Sequence, residues 1–268
     1  MILPAGVAPE ARLLLIGRAL RAFCDGYVAV LLPAYLLALG FGIWEVGILS
    51  TATLLGSALA TLAVGACGHR FHHRSLLLGA ALLMAATGLA FAGLSSFWPL
   101  LLIAFVGTMN PSSGDVSVFL PLEHARLADA AHGETRTALF ARYSLTGTLF
   151  AAVGALAAAV PDALVPLGIQ PLAALRGMFV VYGAAGLLVW ILYRRLPQPA
   201  LHERPVPPAP LGVSRPTVLQ LAALFSVDAF AGGLVVNSLL ALWLFERFDL
   251  SLAAAGQFFF WSGLFSAF

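Results

Sequence analysis

Three ionisable side chains inside an apolar run carry the first legible chemistry. The stretch "RALRAFCDG", residues 18–26, places Arg18, Arg21 and Asp25 between "LLLIG" and "YVAVLLPAYLLALG". A charge at the centre of a bilayer costs roughly 2.5–3.5 kcal/mol on insertion scales, so such groups have a partner or a task. A carboxylate beside two guanidinium groups can exchange a proton, hold a substrate between them, or close an internal ion pair. On a helix, Arg21 and Asp25 stand at i,i+4 spacing on one face, with Arg18 a further turn back. Counted from Leu13, Asp25 lies about 18 Å along the helix, near the middle of a hydrocarbon core about 30 Å thick. Asp25 is therefore the leading candidate for a proton-linked carboxylate, with Arg18 and Arg21 as substrate or ion-pair partners. A purely structural pair that fixes this helix against its neighbours accounts for the same charges.

A second set of groups surrounds "TMNPSSGD", residues 108–115. Pro111 and Gly114 interrupt an apolar run rich in small polar groups, and interrupted helices in membranes face protein or a wet cavity. Asn110, Pro111, Ser112, Ser113 and Gly114 are accordingly expected to form a cavity-shaping helix break. Asp115, just beyond it, is a further candidate for a transport or proton-linked carboxylate, and Arg142, at similar depth on the next run, is expected to pair with it or to contact substrate. Asp228 lies about eleven residues into a later apolar run and is the expected counterpart of Asp25. Asn237, in the same run, is a further candidate for contact with substrate. A proline kink and a structural ion pair account for the Asp115 region equally well.

The elements that must position these groups follow from composition. Of 268 residues, 61% are hydrophobic and 10% charged, far outside the soluble range of about 45–50% apolar and 25% charged. The sequence predicts an all-α polytopic membrane protein. Spans of about 20 apolar residues fall near 13–39, 44–66, 75–95, 97–121, 138–160, 176–193 and 217–245, and an eighth opens near 251. That run stops at Phe268 in mid-span, which predicts truncation relative to a longer protein. All fourteen basic residues are arginine, and they gather in alternate connections. By the positive-inside rule those connections and the N-terminus are cytoplasmic. Cys24 and Cys67 fall in apolar stretches, where thiols act as small packing residues. Gly79, Gly88, Gly183 and Gly186 read as close-packing positions between helices.

The segment 194–216, "RRLPQPALHERPVPPAPLGVSRP", is too rich in proline and polar groups to build a core and reads as a semi-rigid linker. It separates a six-helix bundle, 1–193, from the start of a second bundle, 217–268. Asp25 and Asp228 occupy matching depths about 200 residues apart with unchanged chain direction, which predicts two parallel halves.

The loop "GACGHRFHHR", residues 65–74, resembles the cytoplasmic loop signature of the major facilitator superfamily at Gly65, Arg70 and Arg74. His69 stands where that signature carries Asp, and His72 and His73 replace its later Gly and a basic residue. The resemblance implies a major facilitator-like bundle whose first, fourth and seventh helices line a central cavity, which is where the charged spans fall. It implies a loop that helps hold the outward-facing state, a gating role that His69 puts in question. It also implies a secondary transporter of the plasma membrane, here that of a bacterium. Such a protein moves a small solute by alternating access, coupled to protons, as a monomer in the lipid bilayer. No enzyme activity, nucleic-acid partner, metal or cofactor is expected. Two other readings remain: an inert fragment, and a membrane-embedded enzyme, for "HRFHH" also fits the His-x-x-His-His box of di-iron desaturases.

Overall fold

The computed structural model describes residues 7–112, 117–197, 212–233 and 235–267, with the backbone alone at 69, 213 and 232. Its regular structure is helical, with no strand among the described residues. The first span is α1 (Glu10–Ala38), apolar around nearly its whole circumference and buried along most of its length. A helix apolar on all sides belongs inside a bundle, and α1 is the central pillar. Its tyrosines find partners in neighbouring helices: the Tyr27 hydroxyl donates to the Met178 carbonyl at 3.1 Å and the Tyr35 hydroxyl to the Phe91 carbonyl.

Around α1 stand α2 (Ile43–Cys67), α3 (His73–Gly93), α4 (Phe97–Val106), α5 (Phe119–Ala130) and α6 (Glu134–Leu156), a short α7 (Val160–Leu164), and α8 (Pro171–Tyr193). After the linker come α9 (Arg215–Gly233), α10 (Asn237–Phe248) and α11 (Leu252–Ser266). Among the described residues five helical segments are long and apolar enough to cross a membrane, namely α1, α2, α3, the run Glu134–Leu167 that begins with α6, and α8. Trp44 and Trp98 stand exposed where α2 and α4 begin, at the end of the bundle opposite Arg70 and Arg74. Such a pair suits the headgroup level of one membrane face.

Helices approach closely where glycine removes the side chain. Gly26 of α1 lies against the Ala151 carbonyl of α6, and Gly154 of α6 lies against the Phe23 carbonyl of α1, so each glycine accommodates the other helix's backbone. Gly88, Gly183 and Gly186 do the same between α3 and α8, as expected, whereas Gly79 has open space beside it. Gly154→Val should force α1 and α6 apart and lower stability by at least about 1–3 kcal/mol, the usual cost of overpacking. Thermal unfolding in detergent followed by circular dichroism checks this, and an unchanged midpoint would refute the close approach.

Two expected spans are not continuous. The run 97–121 divides into α4 and α5, and the helix continues to Ala130, beyond the expected end. Asn110 Oδ1 accepts from the Ser112 amide at 3.0 Å and its hydroxyl at 2.7 Å, a local turn that competes with helix. The run 217–245 likewise divides into α9 and α10, with Val236 extended ahead of Asn237. An unbroken apolar run conceals this second break, because hydropathy does not register backbone geometry. The two breaks meet: the Ser238 amide donates to the Pro111 carbonyl at 3.0 Å, and Asn237 Nδ2 to the Ser112 carbonyl at 2.8 Å. Carbonyls released by one break are thus satisfied by the other, as a low-dielectric interior requires.

At the opposite end of the bundle, arginines cap carbonyls near helix C-termini, where a cation complements the helix dipole. Arg74 Nη2 donates to the Arg194 carbonyl beyond α8 at 2.7 Å, and Arg136 Nη2 to the Ala128 carbonyl in the last turn of α5 at 2.8 Å.

Candidate functional site

The buried charged side chains among the described residues are Arg18, Arg21, Asp25 and Glu123. Three of them are the α1 stripe legible in the sequence; the fourth is added by the fold. Arg21 Nη1 and Nη2 donate to Glu123 Oε1 and Oε2 at 2.6 and 2.7 Å, a bidentate pair with no solvent exposure at the carboxylate. The Tyr143 hydroxyl of α6 and the Tyr193 hydroxyl of α8 donate to the same carboxylate, and the Arg21 guanidinium lies 3.9 Å from the Phe119 ring centre. One carboxylate therefore ties α1, α5, α6 and α8 together. Arg21 and Asp25 remain within electrostatic reach on one face of α1, as the spacing predicts, while the guanidinium fork itself is engaged by Glu123 of α5, a partner the spacing does not reveal.

The signal for Glu123 is present in the sequence once α5 is known to be helical. Phe119, Leu122, Glu123, Leu127 and Ala130 are its buried positions, spaced by three and four residues or nearly so, and Glu123 sits in the middle of an apolar stripe. A span that ends at residue 121 leaves that stripe in a loop.

Arg18 takes a different position. Its guanidinium lies 5.1 Å from the Tyr143 ring centre and lines a cavity of about 340 Å³ between α1, α6, α10 and α11. Gly147, Thr148, Asn237, Ser262 and Ser266 form much of the remaining wall. A Cβ added at Gly147 would stand 2.5 Å from Arg18 Nε and Nη2, so that glycine makes room for the cation. Asp25 is buried on the same helix, within electrostatic reach of both Arg21 and Arg18. Burial of a cation beside small and hydroxylated side chains makes the cavity suited to a small ligand with a complementary acceptor group.

The remaining candidates are distributed as follows. Asn237 is brought to the cavity wall, and Asn110, Pro111 and Ser112 form the first helix break. Ser113, Gly114 and Asp115 lie outside the described residues, so the expected Asp115–Arg142 pair has only one described member, with Arg142 exposed on α6. Asp228 is exposed on α9, and the structure does not bring it to the α1 stripe. Gly65 belongs to α2, Arg70 ends a short 3-10 turn and Arg74 caps α8, while the side chain of His69 is outside the described set.

Comparison with known proteins places this arrangement. The segment alignable with an uncharacterized membrane protein of Saccharomyces cerevisiae is 27% identical over 137 residues, 51% of this chain and 31% of that protein. A D-xylose transporter of Levilactobacillus brevis is 30% identical over 113 residues, 42% of this chain and 24% of the relative. The matched segments thus span less than a third of either relative. The human organic anion transporter MFSD10 shares the fold with a TM-score of 0.64 at 20% identity, over 97% of this chain and 71% of that one. The family model of the Major Facilitator Superfamily matches residues 14–268, from the first buried turns of α1 through α11, and the chain belongs to that superfamily.

Proposed function

We propose that this chain is part of a secondary active transporter that moves a small solute across the plasma membrane by alternating access, with flux coupled to protons. The observation that carries the reading is Arg18, the member of the buried α1 stripe that lines a cavity built from both sides of the linker. Arg18, Gly147 and Thr148 come from the helices before it, and Asn237, Ser262 and Ser266 from those after it. A site shared between two bundles changes shape when they rock, which is the geometric requirement of alternating access. The bundle 1–193, the linker 194–216 and the segment 217–268 are the corresponding parts. The arginine-capped end and the N-terminus face the cytoplasm, consistent with positive-inside placement.

Asp25 is the proton-linked carboxylate of this reading, and the Asn237–Ser112 and Ser238–Pro111 hydrogen bonds hold the two broken spans together beside the cavity. The Arg21–Glu123 pair is the fixed part, since it is sealed and fully hydrogen-bonded. The test uses proteoliposomes containing the full-length protein and a panel of sugars and organic acids. A pH gradient should drive accumulation of at least one solute, and Asp25→Asn should reduce gradient-driven accumulation to the passive level. Equal accumulation by wild type and Asp25→Asn would remove the proton role.

Gly147→Ala supplies a narrower check. The added methyl collides with the end of a flexible side chain rather than with backbone, so the protein should fold normally while the Arg18 guanidinium shifts. Displacement of a positioning group by about 1 Å can cost up to about 100-fold in rate, and a drop of about tenfold in initial flux with unchanged melting is expected. Unchanged flux would show that the position of Arg18 is immaterial.

A further inference from the structure

Several helix hydroxyls satisfy themselves on the preceding turn of their own helix. Thr51 donates to the Gly47 carbonyl at 2.8 Å, Thr87 to the Leu83 carbonyl at 2.7 Å, Thr148 to the Ser144 carbonyl at 3.2 Å and Ser226 to the Ala222 carbonyl at 2.7 Å. Two on α2 do not. Ser57 is only 4% exposed, and its hydroxyl has no hydrogen-bond partner among the described residues. Thr61, one turn further along the same face, carries a buried hydroxyl that is likewise unpartnered. A buried polar group left unsatisfied is costly and calls for a partner.

Ser57 lines a crevice of about 240 Å³ between α2, α3 and the break that divides α4 from α5. The walls are apolar, with Val64 from α2, Leu76 and Leu83 from α3, Val106 from α4 and Leu122 from α5, and no charged side chain among the described residues joins them. The Thr108 hydroxyl, also on the wall, reaches the Tyr182 hydroxyl only at 3.5 Å. Ser75 and Gly79, both exposed on α3, belong to the outer edge. The crevice shares no lining residue among the described ones with the Arg18 cavity. We propose that it is a second binding site, for a small uncharged amphiphile of the class of a medium-chain alcohol, whose hydroxyl bonds to Ser57 and whose hydrocarbon body fills the apolar walls.

The chemistry of the walls selects this class. An ion would find no counter-charge there, and a buried charge without one is strongly disfavoured. Ordered water needs about two to four polar partners, whereas apolar surface surrounds Ser57. A plain hydrocarbon would match that surface and leave the hydroxyl unsatisfied. A molecule with both parts answers both demands, and a volume below the usual range of ligand pockets favours a compact one. Its place in the fold gives it leverage. Gly107 and Thr108 on the wall lead into the break at Asn110 to Ser112, and the Pro111 and Ser112 carbonyls of that break hold α10. A ligand entering from the bilayer would therefore bear on the contact between the two bundles without entering the cavity between them.

Photolabelling of the full-length protein in lipid nanodiscs with a diazirine-bearing octanol, followed by peptide mass spectrometry, tests the site. Label should concentrate in 57–64 and 75–83, and excess octanol should suppress it while excess octane suppresses it far less. Ser57→Ala should weaken the competition by octanol about two- to tenfold, the worth of one hydrogen bond. Gly79→Leu is the second variant. Nothing lies within 4 Å of the position a Cβ would take at Gly79, so the larger side chain can occupy the crevice without meeting backbone, and a glycine leaves a helix interior. That variant should melt no lower than wild type and lose the label from both segments. Label spread over the whole outer surface and indifferent to octanol would overturn the proposal. So would equal competition by octane, unchanged competition in Ser57→Ala, or unchanged labelling in Gly79→Leu. None of these readouts requires a solute or a flux, so the site stands or falls apart from the transporter reading.

Discussion

Glu123→Ala should lower the stability of the helical bundle by about 3–5 kcal/mol, the usual cost of removing one partner from a buried ion pair. The substitution leaves the buried Arg21 guanidinium without its carboxylate and takes the acceptor from Tyr143 and Tyr193 at the same time. Denaturant unfolding in detergent, followed by circular dichroism, should show the loss as an early transition. The double variant Arg21→Met with Glu123→Leu should recover most of it, because removing both charges removes the desolvation cost together with the attraction. If Glu123→Ala unfolds like the wild type, the carboxylate is not the sealed tie between α1, α5, α6 and α8. Recovered folding with intact flux in the double variant would assign the pair a purely structural role.

Arg18→Gln should strongly reduce the rate of solute flux. The guanidinium is the cation on the cavity wall, and a hydrogen bond to a charged group contributes about 1.5–3 kcal/mol. At about 1.4 kcal/mol per factor of ten, loss of that interaction predicts a reduction in flux of roughly 10- to 100-fold at subsaturating solute. Neighbouring residues do not replace the cation: Gly147, Thr148, Asn237, Ser262 and Ser266 supply no positive charge. Initial rates in proteoliposomes, normalised to inserted protein, read the effect directly. Wild-type flux in Arg18→Gln would place the solute elsewhere.

Part of the site is legible in the sequence itself, and the division follows physical lines. Arg18, Arg21 and Asp25 are conspicuous because charge within an apolar run has few innocent explanations. The break at Asn110 to Ser112 is visible through proline and the turn-forming side chain of asparagine. Arg21's partner is not visible, because it lies 102 residues away, on a helix that extends past the end of an apolar run. Local spacing points to Asp25, since i,i+4 contacts are all that a single stretch of sequence can reveal. Glu123 illustrates the same limit: its polarity argues for a loop, while the period of its neighbours argues for a buried helix face. The second break, ahead of Asn237, is concealed because "GGLVV" is apolar throughout and hydropathy averages over backbone geometry. Asp228 matches Asp25 in depth, yet α9 leaves it exposed, for depth along a span does not fix which neighbours pack against it.

The family model covers the basic segment 65–74 together with the apolar bundle around it. Within that loop Arg74 acts as a cap on α8, a contact that joins the α2–α3 connection to the end of the last helix before the linker. In this chain the buried charge among the described residues is concentrated on α1, with a long-range partner on α5.

Accessibility of the cavity wall to water tests the central claim most directly. Thr148→Cys and Ser262→Cys, each in a background where the exposed Cys67 is replaced by serine, place single accessible thiols on opposite walls beside Arg18. A charged, membrane-impermeant methanethiosulfonate reagent should modify both during turnover, and modification should block flux. Thiols that stay unreactive under every driving condition, with transport proceeding normally, would show that the charges of α1 face a dry contact rather than a solute pathway.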